Sequence, residues 1–364
     1  MKKKTVILVS IAVLLTVGSI TCRLISPGLQ FVLNNMEKDD TPCPAPLCDT
    51  AIILGGDTVP IRVYRPHSKQ KKVVLLVHGV HFKGYNEPRL LHFMRTLLTE
   101  HSTVVVPDLH DLKNYELTPH TVGLIEQCAL WTINSPRVNP RHKKIALYGI
   151  SFSGGLCISV ASRESLRGRI SSVFDFGGHG DLDETLEYLV TGIQPDGTRL
   201  PPHIYAGAVV ARWLADSLVP PGQVQPLREA LFYYLSEQGD NVDRMLDSLP
   251  EESKMIVNLC RDRKADELGK LLKIHLKNYT ADPVLSPLKG PVPTSPLFLL
   301  HGSTDNVIPP AETRKIGVWA AQTTRVVMLV SPLIQHVEMG KNSRVPPVAD
   351  YWNFIRFWTE LLRS

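Results

Sequence analysis

The stretch Lys144-Ile145-Ala146-Leu147-Tyr148-Gly149-Ile150-Ser151-Phe152-Ser153-Gly154-Gly155-Leu156 runs an apolar strand into Gly-x-Ser-x-Ser-Gly-Gly and on into a helix of small residues. A short continuous apolar run suits a strand covered on both faces. The small residues that follow suit a strained turn that lifts Ser151 Oγ clear of the sheet edge, because Gly149 two before it and Ser153 and Gly154 just after it leave the backbone room. The turn also aims the first N–H groups of the helix at whatever Ser151 attacks. Ser153 competes for the same role, since Ser151-x-Ser153-x-Gly155 has small flanks too; Ser151 is favoured because it lies two residues beyond the strand-ending Gly149.

Together with Leu156, Cys157, Ile158, Val160 and Ala161 as the next helix, this segment resembles the nucleophile elbow of the α/β-hydrolase superfamily. The resemblance extends from around Val59 to the C-terminus apart from one insertion, with Ser153 standing where the usual pentad ends in Gly. It implies an α/β fold: a mostly parallel central sheet of about eight strands flanked by helices, with an inserted helical cap. Val73-Val74-Leu75-Leu76-Val77-His78-Gly79-Val80-His81 is a second matching piece, a strand ending in His-Gly. By the resemblance the backbone N–H of Val80 is one oxyanion donor and that of Phe152 the other.

Pro296-Leu297-Phe298-Leu299-Leu300-His301-Gly302-Ser303-Thr304-Asp305-Asn306-Val307-Ile308-Pro309 resembles the loop after the seventh strand, which in that superfamily carries the triad acid. Asp305 is therefore the expected partner of a histidine, with helix capping before Pro309 and Pro310 as its other possible use. There are 13 histidines, and position selects among them. Thr324 to Val330 reads as the final strand and His336 follows in the next loop, so the order Ser151, Asp305, His336 matches the superfamily. His78, His81 and His301 belong to loop motifs with backbone roles, and His179 in Gly177-Gly178-His179-Gly180 is the nearest rival. Asp175, Asp181 and Asp183, at or just after the sixth strand, compete with Asp305 as the acid.

At 364 residues with 43% hydrophobic content, the chain has room for such a core and an insertion. Lys2, Lys3, Lys4 and Arg23 supply four of the +5 net charges, which leaves little basic bias and no pointer to nucleic acid. Without a Walker loop, Gly-x-Gly-x-x-Gly, paired Cys-x-x-Cys or His-Glu-x-x-His, the sequence calls for no cofactor and no metal. Lys2 to Lys4 precede the uncharged, Val/Leu/Ile-rich segment from Thr5 to Thr21, as in an export signal or an uncleaved anchor with the rest of the chain on the non-cytoplasmic side. Of the six cysteines, Cys128 and Cys157 read as small hydrophobes, Cys260 has no evident partner, and Cys43 and Cys48 could close a short loop in an oxidising compartment.

The expected division is a signal peptide or membrane anchor over 1–23, a linker over 24–50, the first part of the core over 51–180, the cap over 181–294 and the second part of the core over 295–364. Gly55-Gly56-Asp57 is the turn between two edge strands. Helices are expected over Glu87–Thr99 and Thr118–Ile133, with Thr118 as cap, and a strand over Thr103–Val106 lies between them. Cap helices are expected around Thr185–Leu189, Tyr205–Leu218, Val224–Leu235, Asn241–Leu249 and Ala265–Leu276. Near the C-terminus, Trp352, Ile355, Trp358 and Leu362 form a packing stripe. Tyr205, Trp213, Leu214, Phe232, Tyr233 and Tyr234 line either an apolar acyl pocket or the cap's own core. The resemblance and the residues together lead to a serine hydrolase that acts on a small ester or related acyl substrate. A peptidase on the same scaffold and a non-catalytic binding protein remain as alternatives.

Overall fold

Val73 to Val77 and Ile145 to Tyr148 are apolar at every position because both faces of their strands are covered. The computed structural model describes residues 27–33, 44–141, 143–336, 338–339 and 347–364. Its strands are β1 (Cys48–Leu54), β2 (Asp57–Tyr64), β3 (Lys72–Val77), β4 (Ser102–Pro107), β5 (Ile145–Ile150), β6 (Ile170–Phe176), β7 (Leu297–Gly302) and β8 (Val326–Ser331). They form one sheet in the order β1-β2-β4-β3-β5-β6-β7-β8. The β1–β2 and β2–β4 pairs are antiparallel and the remaining five are parallel. With an elbow after β5 and helices on both faces, this is the α/β-hydrolase architecture. The hairpin between β1 and β2 turns on Gly55 and Gly56, whose φ of 60° and 102° only glycine adopts cheaply.

The period of two along a strand divides the core. Val73, Leu75, Val77 and Leu147 face one side with helices Pro119–Asn134 and Phe152–Ala161. Val74, Leu76, Ala146 and Tyr148 face the other, with helices Pro88–Thr99 and Val348–Arg363. Thr118 caps its helix as expected, accepting from Thr121 N–H at 3.2 Å. Cys128 and Cys157 are buried as small apolar residues.

Between β6 and β7 lie helices Leu182–Thr191, Ile204–Trp213, Pro221–Leu235, Gly239–Leu246, Glu251–Arg261 and Ala265–Leu276. The expected helix over Tyr205–Leu218 breaks at Leu214, which leaves Ala215–Leu218 as a separate turn of helix. Glu251–Arg261 escaped the sequence pattern because only Ile256 and Val257 of its four buried positions are strongly apolar, the others being Ser253 and Cys260. Acids in the first turn after Pro250 were the available signal.

The C-terminal stripe differs from expectation. Phe354, Phe357, Trp358 and Leu361 are the buried apolar positions, an i, i+3, i+4, i+7 set, while Trp352 on another face is 42% exposed. The expected linker over 24–50 contains a docked helix at 27–33, and β1 begins within it at Cys48. Phe31 is buried and stacks on Trp358 with ring centroids 4.3 Å apart, and a side chain at Gly28 would strike the Ile355 carbonyl and Thr359. The expected anchor at 1–23 and Cys43 lie outside the described residues. Among the described residues no helix is long and apolar enough to cross a membrane.

Candidate active site

Ser151 sits between β5 and helix Phe152–Ala161 with φ 56° and ψ −137°, a strained conformation for a residue with a side chain. The glycines around it are structural necessities: a Cβ at Gly149 would strike the backbone of Ser153 and Gly154, and one at Gly154 would strike the Asp175 carboxyl. The competing Ser153 is accounted for by packing. Its hydroxyl is buried, accepts from Ile150 N–H at 2.9 Å and can donate to Val77 C=O at 3.0 Å or Ile150 C=O at 2.8 Å, so it ties the ends of β3 and β5 together beneath the turn. Ser151 is the serine that faces the cavity.

His336 follows β8 and itself has a positive φ of 48°. Its Nε2 lies 3.4 Å from Ser151 Oγ and its Nδ1 2.8 Å from Asp305 Oδ2. Ser151, His336 and Asp305, expected from three separate stretches of sequence, are thus brought into one line. The Ser–His distance is long for a hydrogen bond and within what unliganded sites show.

Asp305 is 1% exposed, and both its oxygens are occupied. Oδ1 accepts from Val307 N–H at 2.8 Å and Ile308 N–H at 3.1 Å. Oδ2 receives His336 and lies 3.3 Å from His301 Nε2. Burial alone would raise its pKa, but the charges and hydrogen bonds of His336 and His301 outweigh it and hold the carboxyl well below its ordinary range. The alternative use, capping the next helix, is not its role, since Pro309 takes the N-cap position there.

His301 is the residue that sequence reasoning undervalued as a backbone element. It is fully buried on β7, with Nε2 2.9 Å from Ile308 C=O and shared with Asp305, and with Nδ1 2.6 Å from Thr313 Oγ1. Because a carbonyl only accepts, Nε2 carries a proton and faces Asp305 as a donor. Burial pushes the His301 pKa down, yet its contact with Asp305 leaves it raised. Only the His301-to-Asp305 spacing hinted at this in the sequence.

The rivals have other positions. His179 is buried behind the elbow helix, donates Nε2–H to Leu285 C=O at 2.7 Å, and is pushed down to about 4 by burial. His78 bridges Gly79 C=O and Leu109 N–H at 2.7 and 3.0 Å, which fixes the loop carrying Val80. Asp181 caps helix Leu182–Thr191, accepting from Asp183 N–H at 2.9 Å, and Asp183 accepts from Ala281 N–H at 2.7 Å. Asp175 lies on β6, fully buried, with neither oxygen in a well-formed hydrogen bond among the described residues. Burial pushes it up to about 7.

The cavity over Ser151 measures about 410 Å³. Val80 and Phe152 both line it beside Ser151. Phe152 N–H has no intrahelical partner as the first residue of its helix, and Val80 N–H makes no backbone bond among the described residues. Leu90, Phe93, Ile150 and Phe176 give the cavity one apolar wall, and Leu189, Ala206 and Val209 from the inserted helices another. Of the aromatic residues expected near a pocket only Tyr205 lines it, with its hydroxyl 3.4 Å from Val80 C=O. Trp213, Leu214, Phe232, Tyr233 and Tyr234 belong to the packing of the inserted helices. Among the described residues no three His, Cys, Asp or Glu side chains converge to hold a metal ion.

No family model matches the chain, and no curated protein matches its sequence. Similar solved structures include an esterase from Pyrobaculum calidifontis, at 16% identity over 95% of this chain and 90% of that one with a TM-score of 0.46. An esterase from Pyrococcus furiosus is 14% identical over 80% and 82% of the two chains, with a TM-score of 0.44. An acylaminoacyl peptidase from Pyrococcus horikoshii is 12% identical over 88% of this chain, which spans 40% of the peptidase's length, with a TM-score of 0.42.

Proposed function

We propose that this chain is a serine hydrolase that cleaves a carboxylic ester or related acyl bond through an acyl-enzyme. The observation that carries the proposal is the line from Ser151 through His336 to Asp305, opening on a cavity with apolar walls. Ser151 Oγ attacks the acyl carbon while His336 Nε2 takes its proton. The oxyanion that forms is held by the N–H groups of Val80 and Phe152. Collapse expels the alcohol, which receives the proton from His336. Water then attacks the acyl-serine with His336 again as base, and the acid leaves. Asp305 keeps Nδ1 of His336 protonated and stabilises the imidazolium.

In this proposal residues 51–180 and 295–364 form the catalytic core and 181–294 a cap whose Leu189, Tyr205, Ala206 and Val209 help close the acyl pocket. Residues 1–23 anchor or export the chain, with the catalytic domain, including the docked helix at 27–33, on the non-cytoplasmic side. Deleting residues 1–23 keeps Phe31 and is expected to leave a folded, active protein; misfolding of that variant would make the segment part of the core.

A chain-length series of p-nitrophenyl esters, set beside acyl-peptide substrates, tests the reaction class. Turnover of apolar acyl esters is expected. Turnover confined to the peptides would make the protein a peptidase on this scaffold, and turnover of neither would favour a binding protein that keeps the fold.

A further inference from the structure

At the opposite end of the strands from Ser151, about 20 Å away along β5, a second cavity of about 340 Å³ opens where β3 and β5 begin. These strands are neighbours, and each is entered through a run of lysines, so the topology places two basic stretches side by side. Lys69, Lys71, Lys72, Arg141, Lys143 and Lys144 line the cavity together with Ser364, the last residue of the sequence, and no acidic side chain does. Buried Asn139 shapes the second stretch: its Oδ1 accepts from Lys143 N–H at 3.1 Å and its Nδ2 donates to Lys143 C=O at 2.7 Å and Ile133 C=O at 3.2 Å.

None of the six cations makes an ion pair among the described residues. Elsewhere on the surface Arg163, Arg261, Lys273 and Lys315 each face an acid, namely Glu126, Asp243, Glu187 and Glu184. Lys72 is the sharpest case. Its ammonium is largely buried, yet its partners are neutral: Leu361 C=O at 3.1 Å and Ser364 Oγ at 3.5 Å from the C-terminal helix. Around it stand Lys69, Lys71, Arg141, Lys143 and Lys144, and Glu100 feels only the outer Lys71. A largely buried cation costs stability unless an anion joins it.

We propose that this cavity is a binding site for a phosphate-bearing anion, either a soluble phosphate ester or the headgroup of an anionic lipid. Lys72 holds the phosphate in the cavity and the exposed Arg141 and Lys143 add charge-assisted hydrogen bonds. Burial lowers the Lys72 pKa to about 8, and a bound anion restores it, so binding takes up a proton once the free site has lost one. Affinity therefore falls as pH rises through this value.

Calorimetric titration of the full chain with inorganic tripolyphosphate tests the site. Saturable binding is expected, weaker at about pH 9 than at about pH 7. Lys72→Met, and separately Arg141→Ala combined with Lys143→Ala, are each expected to weaken it by about tenfold or more. Ester hydrolysis should be unchanged in both variants, which separates this site from the serine centre. The surface pair carries the test if Lys72→Met fails to fold. Vesicles of phosphatidylglycerol and of phosphatidylcholine distinguish the sources. A loss in both variants confined to phosphatidylglycerol binding assigns a lipid headgroup, and a loss confined to tripolyphosphate assigns a soluble ester. Absence of binding to either, or binding that neither variant weakens, would overturn the proposal.

Discussion

Two buried carboxyls lie near the ends of adjacent strands, Asp175 on β6 and Asp305 in the loop after β7, and their surroundings push them in opposite directions. Two backbone N–H groups and two histidines surround Asp305, which keeps it ionised. Asp175 is packed against the backbone of Gly154 and Gly178, and burial outweighs the Gly178 N–H and the charge of His301 and lifts it to about 7. Depth is the same in both places, so the donors decide which acid stays an anion able to orient a histidine.

The largest effect that would break the comparison concerns Asp305. Replacing it with Asn is expected to lower kcat by about 10⁴, with KM little changed, because the base is left in the wrong tautomer. Asp175→Asn should leave kcat within a small factor of wild type. Steady-state kinetics on one ester settles both, and reversal of the two results would move the acid to β6.

His301 comes next. His301→Leu removes the donor behind Asp305 and lets the carboxylate shift, which is expected to cost kcat up to about 10²-fold. His301→Gln, which keeps an N–H, should recover most of that. Equal losses in both variants would mean that His301 serves packing rather than the orientation of Asp305.

Ser153→Ala should act on stability more than on rate. It leaves Ile150 N–H without its acceptor beneath the elbow, at a cost of about 1–3 kcal/mol. Denaturant unfolding measures this, and loss of activity without loss of stability would reopen Ser153 as the nucleophile.

The smallest effect is a difference in sign with pH. Asp175 rises from the ordinary 3.8 to about 7 on folding, so between those values the folded state holds a proton that the unfolded state releases. Its ionisation thus removes stability as pH rises from about 4 to about 7. Asp305 is depressed on folding, so its contribution is present above 3.8 and lost as pH falls below it. Relative to wild type, Asp175→Asn should gain thermal stability on going from about pH 4 to about pH 7. A pH-independent difference would show that Asp175 is held by donors after all.

The fold, and the three side chains that come together at the cavity, were legible because each is marked locally. Gly149 and Gly154 announce the elbow, His78-Gly79 the end of β3, and Asp305 and His336 follow strands that the apolar runs Leu297–Leu300 and Val326–Val330 reveal. His301 was not legible as more than a backbone element, since its importance arises only when the loop after β7 folds back over it. Trp352 misled because the run Trp352, Ile355, Trp358 has helical spacing, whereas the stripe of Phe354, Phe357, Trp358 and Leu361 faces Phe31 and the sheet. The pocket walls drawn from Leu90 and Phe93 on one side and Leu189 and Val209 on the other come from segments far apart in sequence, and no local pattern joins them.

The central claim is that Ser151 attacks an acyl carbon with help from His336. Treating the protein with a fluorophosphonate and locating the adduct by peptide mass tests it most directly. The account predicts a single modification on Ser151, absent in Ser151→Ala and strongly slowed in His336→Ala, while Ser153→Ala still labels. Labelling of Ser153, or labelling of Ser151 that is indifferent to His336, would contradict it.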